Sequence, residues 1–117
     1  MDRAAFGITD TGLVRANNED AFLVCNEKVG PLDNLLIVAD GMGGHKAGEV
    51  ASAKAVTFFF ENVRAGFDSG VTDIAAVLVD ALDKANGKVL RMSETSKDLR
   101  GMGTTLTACG EIGRAHV

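Results

Sequence analysis

Apolar and polar positions change their spacing several times along the chain, and each change marks an element. The runs AAFGIT (residues 4 to 9), DAFLVC (20 to 25) and NLLIVA (34 to 39) are short and apolar. The polar loop DTGLVRANNE and the turn-like KVGPLD separate them, a pattern that predicts three strands. From Gly48 the spacing lengthens: Val50, Ala51, Ala53, Lys54, Val56, Thr57 and Phe60 lie on helix-forming sequence until RAGFDSG interrupts it, so a first helix is expected to end near Val63. A second is expected from about Thr72, because Ile74, Val77, Leu78, Ala81, Leu82, Ala85, Val89 and Met92 recur at helical spacing. Its Thr-x-x-Ala start lacks the acid of a capping box, and Gly87 weakens it by roughly 1 kcal/mol against alanine. SETSKDLRG then reads as a polar loop, MGTTLTACG as a strand, and EIGRAHV as a turn with another strand beginning. This order predicts a mixed α and β fold in which two consecutive helices pack antiparallel on one face of a sheet.

Composition narrows the picture. A chain of 117 residues is long enough for one domain with a thin core. Its net charge of −4, with acids spread along the chain, argues against nucleic acid or a membrane surface recognised through bulk charge. No apolar run has the length of a membrane span and MDRAAFGITD has no apolar signal region, so a cytoplasmic location is expected. Cys25 and Cys109 stand alone within apolar runs, without a CxxC or Cys/His spacing, and are expected to be reduced, buried thiols.

The densest chemistry lies in DGMGGHKAGE (40 to 49), directly after NLLIVA. Asp40 stands where a buried strand is expected to end, and the glycines after it leave the backbone carbonyls unobstructed. A carboxylate followed by a bare carbonyl suits a hard divalent ion such as magnesium or manganese, which prefers oxygen donors in octahedral arrangement. The alternative is a strand-to-helix turn with Asp40 as a capping acid. The loop matches neither GxxxxGK[ST] nor GxGxxG, since position 46 is Lys. A second acidic stretch, RANNED (15 to 20), holds Arg15, Glu19 and Asp20. Neighbouring residues on a strand point to opposite faces, so at most one of Glu19 and Asp20 can face Asp40 if the backbone is regular there. Arg15 has the planar fork that grips two phosphate oxygens, or is a solvated loop cation.

RANNEDAF, LLIVADGMGGHKAGEVAS and MGTTLTA, in this order, resemble the N-terminal motifs of the metal-dependent serine/threonine protein phosphatases, the PPM or type 2C family, in its bacterial form. The resemblance spans nearly the whole chain. It implies an α+β fold, part of a four-layer α-β-β-α sandwich of two antiparallel sheets flanked by antiparallel helix pairs, with two Mn2+ or Mg2+ ions at one edge between the sheets. By position, Asp40 resembles the carboxylate that bridges both metals and Gly41 the residue whose carbonyl ligates one. Glu19 and Asp20 resemble the acids that hold metal-bound waters, and Arg15 the residue that grips the substrate phosphate. Gly103, Thr104 and Thr105 match a small-residue strand near the site, with a structural role.

Two departures accompany the resemblance. Eukaryotic members have a histidine directly after the Asp-Gly pair, where this chain has Met42; His45 lies three residues later and is either a group near the site or a solvated loop residue. The sequence also stops at GRAHV, before the later Asp-Gly and Asp-Asn motifs that supply the remaining metal carboxylates. Residues 1 to 117 are therefore expected to be the N-terminal half of a phosphatase catalytic domain, inactive alone, whose parent hydrolyses phosphoserine and phosphothreonine in proteins. The alternatives are a phosphatase-like binding or regulatory module, and a fragment that folds by assembly. The isolated chain is expected to self-associate through its unfinished sheet.

Overall fold

The computed structural model describes residues 19–43 and 46–112. The run at residues 4 to 9, Arg15, His45 and the residues after 112 lie outside them, and so does the strand expected to begin in GRAHV.

β1 (Asp20–Cys25) has the bounds its apolar run predicts, and it pairs antiparallel with β2 (Leu32–Met42). β2 extends beyond NLLIVA at both ends because the alternation continues: Leu35, Ile37, Ala39 and Gly41 are buried while Val38, Asp40 and Met42 are exposed. On its other side β2 pairs with β3 (Gly103–Thr104) and β4 (Thr107–Ile112), both antiparallel. MGTTLTACG is thus two strand segments broken at Thr105 and Leu106, not one strand. Glu111 and Ile112, expected in a turn, belong to β4. A register shift between Leu32 and Asn34 is absorbed there by a reciprocal pair. Asn34 Nδ2 donates to Glu111 Oε1 at 3.0 Å, and the Glu111 N–H donates to Asn34 Oδ1 at 3.2 Å.

Both helices outlast their sequence signals. α1 (Ala47–Asp68) runs through RAGFD because Phe67 on that turn is buried in the core. α2 (Ile74–Thr95) starts after Asp73 rather than at Thr72: Asp73 Oδ1 accepts the Ala76 N–H at 3.2 Å and supplies the cap that a Thr72 start lacks. A short 3-10 turn, Lys97–Leu99, follows where a polar loop was expected. The helices are antiparallel, since Gly66 lies against Val77 at one end and Ala55 near Val89 at the other. Each buries a row at four-residue spacing, with Ala47, Ala51, Ala55, Phe59, Val63 and Phe67 on α1 and Val77, Ala81, Ala85 and Val89 on α2. Alanines in both rows let the backbones approach. Of the apolar positions expected inside, Ala53 is exposed and Leu82 half exposed, while Phe59 is a core residue that the helical spacing did not single out.

Leu35, Ile37 and Ala39 of β2 join Val56, Phe59, Val63 and Phe67 of α1 and Val77, Ala81 and Ala85 of α2 in one core. The described fold is therefore α+β, a single antiparallel sheet with a helix pair on one face. The opposite face carries Phe22, Val38 and Met42, exposed by 36%, 46% and 57%. Cys109 also departs from expectation. Both cysteines are free, but Cys109 lies opposite the outward-facing Leu36 on β4 and is exposed, and Cys25 is only half-buried. No helix among the described residues is long and apolar enough to cross a membrane.

Candidate metal centre

The β1–β2 register brings two acids together. Asp20 is the direct cross-strand partner of Asp40. Both backbone groups of Asp40 turn the other way, to Thr105: its N–H donates to Thr105 Oγ1 at 3.2 Å and its carbonyl accepts the Thr105 N–H at 2.9 Å. Asp20 and Asp40 therefore form a non-hydrogen-bonded pair, the kind in which facing residues come closest, about 4.5 Å between Cα atoms. Their side chains share the outward face. Oδ1 of Asp20 is buried on that face, and two carboxylates held opposite each other are a pair of oxygen donors that a divalent cation would favour.

Gly41 continues β2 into the site and is buried. Its N–H donates to the carbonyl of Glu19 at 2.9 Å. A Cβ at this position would lie 1.9 Å from the carbonyl oxygen of Gly48, in the first turn of α1, and 2.8 Å from that of Glu19. Only glycine lets the strand end, the start of β1 and the start of α1 meet so closely. Glu19 pairs with Gly41, so its side chain takes the helix-side face, away from Asp20 and Asp40. Its carboxylate lies against Gly48, where a Cβ would be 2.6 Å from Oε1. That places an acid at the N-terminal turn of α1, whose N-cap Lys46 makes no side-chain cap hydrogen bond.

Of the site residues expected from sequence, the fold sets Asp20 opposite Asp40 on the outward face, while Gly41, the next residue of β2, pairs with Glu19 and both lie against the start of α1. Arg15 lies outside the described residues. Sequence reasoning did not single out Gly48, whose signal was its place in the glycine-rich loop, nor the bonds of Thr105 to Asp40. Among the described residues no three or more His, Cys, Asp or Glu side chains converge on one point. Two carboxylates and a neighbouring backbone carbonyl are an all-oxygen donor set, and this fits magnesium or manganese rather than a softer metal. Three such donors would fill only half of an octahedral shell.

Comparison with known proteins gives a consistent result. Residues 14–114 match the family model described as Protein phosphatase 2C. Serine/threonine protein phosphatase PstP of Mycobacterium tuberculosis is 40% identical over 113 residues, which cover 93% of this chain and 20% of that protein. The structure of the S. agalactiae serine/threonine phosphatase superposes with a TM-score of 0.75 at 35% identity, over 91% of this chain and 43% of the other. The catalytic domain of PstP in complex with two manganese ions superposes with a TM-score of 0.66 at 42% identity, over 91% and 42%. The chain spans less than half the length of each of these proteins.

Proposed function

We propose, on the premise that the chain belongs to the protein phosphatase 2C family, that residues 1–117 are the N-terminal half of a catalytic domain that hydrolyses phosphoserine and phosphothreonine in proteins. The observation that carries this reading is Asp20 facing Asp40 at the strand end, with the close-packed Gly41 beside them. Manganese or magnesium, when bound, supplies the Lewis acidity that activates water for in-line attack on phosphorus. Asp40, through its carboxylate, and Gly41, through its backbone carbonyl, would hold the metal, and Asp20 and Glu19 would hold water beside it. Arg15 binds two oxygens of the substrate phosphate with its planar fork and neutralises their charge. The protein's contribution is positional and electrostatic, and no phosphoenzyme is required.

The remaining carboxylates come from the second half of the domain, whose sheet covers the exposed face at Phe22, Val38 and Met42 and completes the four-layer sandwich. The substrate is a phosphoprotein in the cytoplasm, without nucleic acid or membrane as partner. In the full-length protein, Asp40→Asn is expected to abolish manganese-dependent hydrolysis of a small aryl phosphate while leaving the circular dichroism unchanged. Retained hydrolysis would remove Asp40 from the centre.

The same exposed face supports a second reading for the isolated chain. An apolar sheet face with exposed Phe22, Val38 and Met42, beside β4, which is an edge strand among the described residues, favours pairing with another copy. The isolated chain then self-associates, holds metal weakly and is inactive.

A further inference from the structure

The strand segment that flanks Asp40 is broken where it passes the acid. β4 pairs with β2 up to Thr107 opposite Val38, and β3 resumes with Thr104 opposite Gly41. The same register places Thr105 opposite Asp40. In a regular ladder the Thr105 carbonyl would accept the Asp40 N–H. That carbonyl is instead taken by its neighbour, since Thr104 Oγ1 donates to it at 2.8 Å. The hydroxyl of Thr105 stands in for the lost acceptor and receives the Asp40 N–H at 3.2 Å, while the Thr105 N–H holds the Asp40 carbonyl at 2.9 Å.

We infer that Thr105 is a positioning residue for the metal centre: its hydroxyl and amide clamp both backbone groups of Asp40 and hold that carboxylate opposite Asp20. The inference rests on the metal reading above and adds a role for GTT beyond a small-residue strand. The need for a clamp follows from the strand end. β2 extends only through Gly41 and Met42 beyond Asp40 and meets β3 at two residue pairs, so the end that carries the acid can peel from β3. A peeled end does not present Asp40 and the Gly41 carbonyl together, and an ion that binds must first re-form it. Any ordinary strand residue in place of Thr105 would keep the amide bond to the Asp40 carbonyl. A residue with a short side-chain acceptor, here the β-hydroxyl, also restores the second bond after the carbonyl has turned to Thr104.

Thr105→Val keeps the shape and removes the acceptor, and Thr105→Ser keeps the acceptor. On the full chain, Mn2+ titration followed by paramagnetic broadening of the Asp20, Asp40 and Gly41 amide signals reads the site, and hydrogen exchange of the Asp40 amide reads the clamp. Removing an outer-shell partner typically weakens a metal site 10- to 100-fold; Thr105→Val loses the acceptor at 3.2 Å and a long donor contact to the Asp40 carbonyl at 3.5 Å but keeps the amide bond, so the expected loss is about tenfold. The Asp40 amide should exchange faster by a similar factor, with Thr105→Ser within about twofold of the parent in both measurements. Unchanged exchange and Mn2+ affinity in Thr105→Val would overturn the clamp, and so would equal losses in the serine variant. Global unfolding of Thr105→Val would overturn it too, by showing that the hydroxyl holds the sheet rather than the site. If the parent chain shows no Mn2+ broadening at these residues, the metal reading fails, and faster Asp40 exchange in Thr105→Val would still separate that failure from failure of the clamp.

Discussion

Gly41→Ala tests whether close backbone approach builds the site. The added methyl would meet the Gly48 carbonyl oxygen at 1.9 Å, its carbon at 2.6 Å and the Glu19 carbonyl oxygen at 2.8 Å. The shortest of these is about 1.5 Å short of ordinary contact, and all three atoms are backbone, so no rotamer change relieves the clash. The first turn of α1 has to retreat, taking with it Ala47 and Ala51, which are 2% and 0% exposed. Overpacking of a tight site typically costs 1–3 kcal/mol, and with no flexible atom to yield the expected loss is about 3 kcal/mol or more. That corresponds to a fall in Tm of about 10 °C for a domain of this size. Gly48→Ala provides the internal comparison. Its methyl would meet the Glu19 carboxylate at 2.6 Å, which is the far end of a flexible side chain, and Met42 N at 2.9 Å. Part of that cost is offset by roughly 1 kcal/mol of helix propensity. Thermal and urea unfolding followed by circular dichroism, at one fixed protein concentration, should therefore rank Gly41→Ala well below Gly48→Ala. If Gly41→Ala lies within 1 kcal/mol of the parent, the approach of strand and helix is not what this glycine serves.

Gly87→Ala should act in the opposite sense. It lies inside α2, a Cβ there meets only Arg91 Nη1 at 3.5 Å, and the expected gain is about 0.5–1 kcal/mol by urea unfolding; a loss would show that the helix needs the gap. For the exposed sheet face, light scattering of the isolated chain at several concentrations should show dimers or larger assemblies, and Val38→Lys, on the outward face, should shift them toward monomer with little change in circular dichroism. A parent chain that stays monomeric throughout would refute self-association.

Much of the architecture was written in the period of the apolar residues. β1 has the bounds of DAFLVC, and the long row Val77, Ala81, Ala85 and Val89 predicts α2. The ends were less legible because packing sets them. RAGFD looks like a helix terminator until Phe67 is seen to bury its ring, and Thr72 looks like a start until Asp73 is seen to cap. On α1, apolar residues at both three- and four-residue spacing outline two possible faces, and packing against β2 and α2 together selects the row through Phe59.

The acids themselves were legible, but their arrangement depends on register, which no single motif encodes. Sequence alone allowed either Glu19 or Asp20 to face Asp40; the turn between β1 and β2 selects Asp20, and the same choice sends Glu19 beneath α1. Gly41 was read as a bare carbonyl, whereas its structural demand is the absence of a side chain against Gly48. Thr105 was the least legible, because its role exists only after the Thr105 carbonyl has left the ladder for Thr104. The candidate centre is thus built on backbone contacts among β1, β2, α1 and the GTT segment, with Asp20 and Asp40 carried at their junction. A substitution at Gly41 moves the supports, one at Thr105 loosens a single support, and one at Asp40 changes only the ligand. Stability, metal affinity and activity should accordingly separate across these three positions, with the fold most affected at Gly41, metal affinity without loss of fold at Thr105, and activity with the fold intact at Asp40.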